Sequence, residues 1–146
     1  MNERVVAGCM TGTSIDALDI AVVRIHGHGL RLRAELVDHA TAPLGDLAAP
    51  LRALAEQQPM TAGAIARLAH AFALVHAEAL RPLHRRHRLD LISVHGQTVF
   101  HAPPASWQLF QPAPLALALD VPVVCDLRAA DLAAGGQEIG RASCRE

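Results

Sequence analysis

The chain has 146 residues, of which 51% are hydrophobic and only 3% aromatic, and its formal net charge is −1. A chain of this length can bury the aliphatic core of one domain, which excludes a disordered polypeptide. The near-zero charge gives no bulk attraction to nucleic acid or to an anionic membrane surface. No apolar run reaches the roughly 18–20 residues that span a bilayer. The three cysteines are too widely spaced to form a disulfide framework, so we predict a cytoplasmic protein without a nucleic-acid or membrane partner.

Three strands are predicted at the start of the chain. Arg4–Cys9 is a short apolar run before a polar turn, and Ile20–Ile25 is almost continuously apolar, which is typical of a strand covered on both faces. Beyond the turn Gly27–Gly29, apolar and charged residues alternate from Leu30 to Leu36, which predicts a strand with one solvated face. Together these segments predict an antiparallel meander.

Helices and further strands are predicted in the rest of the chain. Thr61 is expected to cap a long helix, because apolar residues recur after it at steps of three and four up to Leu83. The other predicted elements are a helix over Leu47–Glu56, a buried strand over Leu89–Val94, a helix over Gln111–Asp120, a strand over Val121–Cys125 and a short helix over Leu127–Ala134. The order βββαβα predicts an α/β fold with a mixed sheet and helices packed on it.

The first polar segment that could carry chemistry follows the first predicted strand. A glycine and two hydroxyl side chains, Gly12, Thr13 and Ser14, offer hydrogen-bond donors to a phosphate group. The carboxylate of Asp16 could hold Mg²⁺, largely through water. The alternative is an ordinary hairpin turn built from common turn-forming residues. The segment is not a Walker A loop, because GxxxxGK[ST] does not occur in the sequence.

The second polar segment follows the predicted strand Leu89–Val94. His95, Gln97 and Thr98 supply mixed donors and acceptors of the kind that bind sugar hydroxyls, and Gly96 would let a ligand approach the backbone. The alternative is a polar turn in which the histidine has only a structural role.

The third polar segment begins at Asp126, directly after a predicted buried strand. A carboxylate at a strand end could act as a general base, and the nearby Arg128 could tune it or hold an anion. The alternative is that Asp126 caps the short helix that follows, and the two roles are compatible.

These three segments resemble those of the anhydro-N-acetylmuramic acid kinases. The matching stretches are GTSIDALD at Gly12–Asp19, SVHGQTVFHAP at Ser93–Pro103 and VPVVCDLRAADLAAGGQ at Val121–Gln137. They occur in the family's order and with similar separations, and the resemblance covers Met1–Gln137. It implies one lobe of an actin-like, ribonuclease H-like ATPase fold, in which two lobes close over ATP and Mg²⁺.

The resemblance also implies a reaction and a role for each matching residue. The family opens the anhydro bridge of 1,6-anhydro-N-acetylmuramic acid with water and phosphorylates the freed O6, giving N-acetylmuramic acid 6-phosphate for cell-wall recycling. Asp126 would be the catalytic base, Asp16 would hold the metal, and the sugar would contact His95, Gln97, Thr98 and Arg128. The nucleotide-binding loop would comprise Gly12, Thr13, Ser14, Ile15, Asp16, Ala17, Leu18 and Asp19.

Three positions within the matching segments depart from the family pattern, and the replacement of phenylalanine by Leu127 is a conservative change. Ala17 stands where the family has glycine, so we expect the backbone there to keep a negative φ or to absorb some strain. Val94 separates Ser93 from His95, which the family usually joins directly, and this weakens any role for Ser93.

The end of the chain departs further, because Glu138–Glu146 matches the translation of a common sequencing adapter. We therefore predict an N-terminal kinase lobe over residues 1–137 and a non-native tail over residues 138–146. We expect the full-length parent to be the enzyme, which could form a homodimer, and this chain alone to be inactive. Two alternatives stay open: another sugar kinase of the same superfamily, and a non-catalytic nucleotide-binding module.

Overall fold

The computed structural model describes residues 3–137. The elements of this range, in chain order, are β1 (Glu3–Thr11), β2 (Ala17–His26), β3 (Arg33–Pro43), α1 (Ala48–Ala55), α2 (Ala62–His87), β4 (Leu91–Val94), β5 (Gln97–Ala102), β6 (Ala105–Leu109), α3 (Pro112–Leu119), β7 (Val123–Cys125) and α4 (Leu127–Ala133). Short 3-10 turns at Gly29–Arg31 and Gly45–Leu47 flank β3. Among these residues, no helix is long and apolar enough to cross a bilayer.

A five-stranded mixed sheet in the order β3-β2-β1-β4-β7 organises the chain. β1 runs antiparallel to β2 and parallel to β4, and β4 is parallel to β7. β5 and β6 form a separate antiparallel hairpin. Because β1, β4 and β7 are parallel neighbours, their carboxyl ends meet at one edge of the sheet. The prediction of an α/β fold with a mixed sheet is confirmed.

The core lies between this sheet and the helices. Phe72 and Leu80 of α2 are fully buried, as are Leu51 of α1 and Leu115 of α3, and they share one cluster with Ile92 of β4. Aliphatic side chains dominate this cluster, as the composition predicts. Burial of a Leu or Phe side chain contributes about 1.5–3 kcal/mol, so a few such residues hold the helices against the sheet.

Helix α2 begins and ends where its sequence predicts. The hydroxyl oxygen of Thr61 accepts a hydrogen bond from the backbone N–H of Ala64 at 3.2 Å, so the predicted cap is confirmed. The basic residues of the last turn suit the negative end of the helix dipole. The helix ends at Arg88, which adopts a left-handed conformation with φ of 54°.

The alternating segment Leu30–Leu36 does not form the half-buried strand that its period predicts. Leu30 and Leu32 precede β3 and are strongly exposed, and Leu36 is 61% exposed. Leu36 pairs with Val23, which lies next to the buried Val22 and therefore points to the opposite face of the sheet from the helices. The prediction is wrong because Leu36 faces away from the helix-covered side, whereas Val37 and Ala40 of the same strand pack against the core.

The predicted turn at His95–Thr98 is shorter in the structure than in the sequence analysis. Gln97 and Thr98 already belong to β5, whose hairpin with β6 the sequence analysis missed. The predicted tail at residues 138–146 lies outside the described residues.

Candidate functional site

Three loops lie at the edge of the sheet where β1, β4 and β7 end. Each contains a residue with positive φ: Ile15 at 50°, Gly96 at 77° and Asp126 at 60°. Left-handed conformations are costly for residues other than glycine, and they concentrate at functional sites. The three polar segments singled out in the sequence therefore meet at one edge, and each has an unusual backbone.

The loop after β1 runs from Gly12 to Asp16. The N–H of Ile15 donates to the carbonyl of Gly12 at 3.2 Å and closes a tight turn, while the Ile15 side chain is 3% exposed and packs into the core. The Ser14 hydroxyl donates to Oδ1 of Asp16 at 2.6 Å. This hydrogen bond is the main reason that the pKa of the exposed Asp16 carboxyl lies below its ordinary value. The loop thus presents Thr13, Ser14 and an ionised carboxylate to solvent.

The last three residues of the predicted nucleotide-binding segment belong to β2. Leu18 is fully buried, so its side chain packs in the core. The exposed Asp19 accepts a hydrogen bond from the Thr41 hydroxyl of β3 at 2.9 Å. Ala17 is not among the residues with positive φ, so the expectation for this departure from the family glycine is confirmed.

Arg52 of α1 reaches the same loop from the side. Its Nη2 donates to the carbonyl of Ser14 at 2.9 Å and to the carbonyl of Ile15 at 3.4 Å. This contact is not predictable from the sequence, because one arginine in an Ala/Leu-rich helix carries no signal of a contact with a loop that ends 36 positions earlier, at Asp16.

A second polar cluster contains His95, which directly follows β4, Thr98 of β5 and Arg128 of α4. Nη1 of Arg128 donates to the Thr98 hydroxyl at 3.0 Å, and its Nη2 lies 3.4 Å from Nε2 of His95. Nδ1 of the same imidazole lies 2.9 Å from the carbonyl of Gly96. The cluster therefore contains an imidazole, a hydroxyl and a guanidinium cation.

Gln97 is adjacent to this cluster, but its amide faces inward. The side chain is 3% exposed; its Oε1 accepts from the Thr11 hydroxyl at 2.7 Å and its Nε2 donates to the Thr98 carbonyl at 3.2 Å. The hydrogen bond to Thr11 joins the end of β1 to the start of β5. The buried contact of Thr11 is not predictable from the sequence, because an apolar strand that ends in threonine gives no sign of a buried partner.

Asp126 directly follows β7 and is exposed. It occupies the position before α4, yet its side chain makes no capping hydrogen bond, and its φ of 60° is left-handed rather than extended. The expectation that Asp126 caps α4 is therefore wrong, since a capping side chain requires an extended backbone at that position. The residue lies at the carboxyl end of β7, the same edge of the sheet at which β1 and β4 end.

The donors at this edge fit Mg²⁺ in the way that kinases hold it. Within residues 3–137 there is no group of three or more His, Cys, Asp or Glu side chains that could enclose a metal ion. Mg²⁺ in kinase sites is instead held by one or two carboxylates together with waters and substrate phosphates. The exposed, ionised Asp16 meets that requirement from the side of the protein.

A cavity lies away from these loops, at the opposite end of the sheet. It has a volume of about 390 Å³ and is lined by residues that include Arg4, Ile25, His28 and Leu91. None of the predicted site residues lines it, and it has few groups able to carry out chemistry. The candidate site is therefore the open edge formed by the three loops.

Comparison with known proteins gives a matching family model, similar sequences and one structural neighbour. A family model described as anhydro-N-acetylmuramic acid kinase matches residues 4–140. Proteins named anhydro-N-acetylmuramic acid kinase from Bacillus thuringiensis and Bacillus cereus are each 32% identical to this chain, over 94% and 90% of it. The chain spans 39% and 38% of those two relatives. The solved structure of Thermus thermophilus RuvC aligns with a TM-score of 0.45 at 19% identity, covering 94% of this chain and 71% of that one.

Proposed function

The chain belongs to the anhydro-N-acetylmuramic acid kinase family, and from that premise we propose that the full-length protein hydrolyses and phosphorylates 1,6-anhydro-N-acetylmuramic acid with ATP. The observation that carries the proposal is the meeting of three loops at one sheet edge. One loop has the composition of a phosphate site, one bears a histidine, hydroxyl and arginine cluster, and one bears a lone exposed carboxylate.

The reaction balances with one water and one nucleotide. Water adds to the anomeric carbon and loses a proton, while the bond from that carbon to the bridging O6 breaks. O6 takes the γ-phosphoryl group of ATP and ADP leaves, so the product is N-acetylmuramic acid 6-phosphate. In this scheme Asp126 accepts the proton of the water. An exposed carboxylate whose side chain makes no capping hydrogen bond is suited to that role.

His95, Thr98 and Arg128 would hold the sugar. Their hydrogen bonds to one another fix the direction of each polar group before a ligand arrives, which lowers the entropy lost on binding. Arg128 carries a positive charge that suits the lactyl carboxylate of a muramic acid. Gln97, whose amide is occupied internally, would support this surface rather than contact the sugar through its side chain.

Gly12–Asp16 would contact the phosphates, and Asp16 with its partner Ser14 would hold Mg²⁺. The metal would supply charge neutralisation on the transferring phosphoryl group. Phosphoryl transfer demands mainly positioning and electrostatic stabilisation from a protein, so a shaped loop with one carboxylate is sufficient on this side of the site.

The test compares two aspartate variants in the full-length protein. Asp126→Asn should lower the rate of product formation from the anhydro-sugar and ATP by about 10²–10⁴-fold, the usual effect of removing a general base. Asp46→Asn changes an exposed aspartate outside the three loops and should leave the rate unchanged. Equal rates for the two variants would contradict the role of Asp126. Turnover of a different sugar, or nucleotide binding without turnover, would instead favour the alternative functions.

A further inference from the structure

We propose that Arg52 is a positioning residue that holds Ile15 in its left-handed conformation and so sets the shape of the phosphate-binding loop. The proposal rests on the function proposed above for Gly12–Asp16. It starts from one nitrogen, Nη2 of Arg52, which donates to the two carbonyl oxygens on either side of the Ile15 Cα, at 2.9 Å for Ser14 and 3.4 Å for Ile15.

The two hydrogen bonds constrain the peptide planes that flank Ile15. Successive carbonyls point the same way in helical conformations of either hand, and they alternate in an extended chain. A single donor that contacts both oxygens therefore favours a helical conformation at Ile15, and φ of 50° shows that it is the left-handed one. For a β-branched residue this conformation is a genuine outlier that costs about 1–3 kcal/mol, so surrounding contacts must stabilise it.

Because each peptide group is planar, a contact that fixes its carbonyl also fixes the direction of its N–H. The N–H of Ile15 belongs to the peptide unit whose carbonyl, that of Ser14, Arg52 contacts, and this N–H donates to the Gly12 carbonyl at 3.2 Å. By fixing that peptide plane, Arg52 also supports the tight turn that carries Thr13 and Ser14. The charge of Arg52 would in addition favour a phosphate bound by this loop.

Other contacts also hold this loop, and they act at Ile15 as well as at its end. The N–H of Leu44 donates to the Asp16 carbonyl at 3.2 Å, and the Ile15 side chain is buried. Arg52 itself is exposed on the short helix α1, so its removal takes little from the core. Its effect should therefore appear in the conformation of the loop rather than in global stability.

The experiment compares Arg52→Met with Arg85→Met, which removes another exposed helical arginine far along the sequence from the loop. In the full chain labelled with ¹⁵N, the HN–Hα coupling of Ile15 reports its φ, and hydrogen exchange of its amide reports closure of the turn onto Gly12. We expect the coupling to change in Arg52→Met and the amide to exchange about five- to tenfold faster, as loss of a charge-assisted hydrogen bond implies. Arg85→Met should match the wild type, and Arg52→Lys should recover part of the effect because one nitrogen makes both contacts.

Unchanged coupling and exchange in Arg52→Met would overturn the proposal. A second experiment tests the phosphate-binding role independently of the positioning role. Mg²⁺ and inorganic tripolyphosphate are added to each variant, and the amide signals of residues 12–16 are followed. If the wild-type loop does not respond although Arg52→Met alters Ile15, the positioning role stands and the phosphate-binding role fails. If the wild-type loop responds and Arg52→Met responds equally, Arg52 does not position the loop for phosphate.

Discussion

The buried histidine of α2, His76, should make the stability of the fold depend on pH. His76 is 1% exposed, and its ring packs edge-on against Phe72 at 4.5 Å and near Phe110 at 4.9 Å between ring centroids. Its Nδ1 lies 2.8 Å from the Phe72 carbonyl. Burial in this apolar setting lowers the pKa of His76 from 6.5 to about 4, because the charged imidazolium loses its hydration.

The sign and size of the effect follow from proton linkage. Below pH 6.5 the unfolded chain binds a proton on this histidine, whereas the folded chain stays neutral until the pH approaches about 4. The contribution to stability is therefore complete above pH 6.5 and is lost as the pH falls towards 4. At about 1.4 kcal/mol per pH unit the full loss is about 3 kcal/mol, of which about 2 kcal/mol falls between pH 7 and pH 5.

The assay is urea unfolding of the chain, followed by circular dichroism at pH 7 and pH 5. His76→Phe keeps an aromatic ring in the cluster and should remove about 2 kcal/mol of the difference between the two pH values. His70→Phe is the matched control, because His70 is exposed on the same helix and should leave the difference unchanged. If His76→Phe has the same pH dependence as the wild type, the burial argument is refuted.

Two further substitutions test structural contacts of Thr11 and Gly96 that hold the candidate site in place. Thr11→Val removes the hydroxyl that donates to the buried Gln97 amide, and it should lower the free energy of unfolding by about 1–3 kcal/mol. The control Thr41→Val removes an exposed hydroxyl and should lower the free energy of unfolding by under ~1 kcal/mol. Equal losses in the two variants would argue against the buried hydrogen bond. Gly96→Ala places a Cβ 3.1 Å from the Leu109 carbonyl at φ of 77° and should cost about 1–2 kcal/mol, measured by urea unfolding. A loss below ~0.5 kcal/mol would show that the turn relaxes without cost.

The sequence predicts most of the sheet because its inner strands are apolar and bounded by turns. Short apolar runs bounded by turns leave a strong local signal for strands. The expectation that Ile20–Ile25 is covered on both faces is wrong, because buried and exposed residues alternate in the first half of β2 and only one face is covered. The alternation from Leu30 to Leu36 leads to a wrong prediction of burial. A repeat of two residues shows that one face of a strand is apolar, but it does not show which side of the sheet the helices cover. The β5–β6 hairpin escapes prediction because its second half, with Ser106 and Gln108, lacks a clear alternation of apolar residues.

The candidate site is predictable only in part for a related reason. The glycine and polar residues at strand ends are visible in the sequence, and the topology brings those ends together. The contacts of Arg52 with the Ser14 carbonyl and of Thr11 with Gln97 depend on tertiary packing across many positions. Likewise, the residues next to Asp126 in the sequence do not predict a left-handed backbone conformation. An aspartate that precedes a helix is ordinarily expected to cap it.

The measurement that tests the central claim most directly is the reaction of the full-length protein in H₂¹⁸O with the anhydro-sugar, ATP and Mg²⁺, analysed by mass spectrometry. Hydrolysis coupled to phosphorylation predicts a sugar 6-phosphate with one ¹⁸O on the anomeric carbon and none in the phosphoryl group. Phosphorylation that leaves the anhydro bridge intact, or label in the phosphoryl group, would contradict the proposed function.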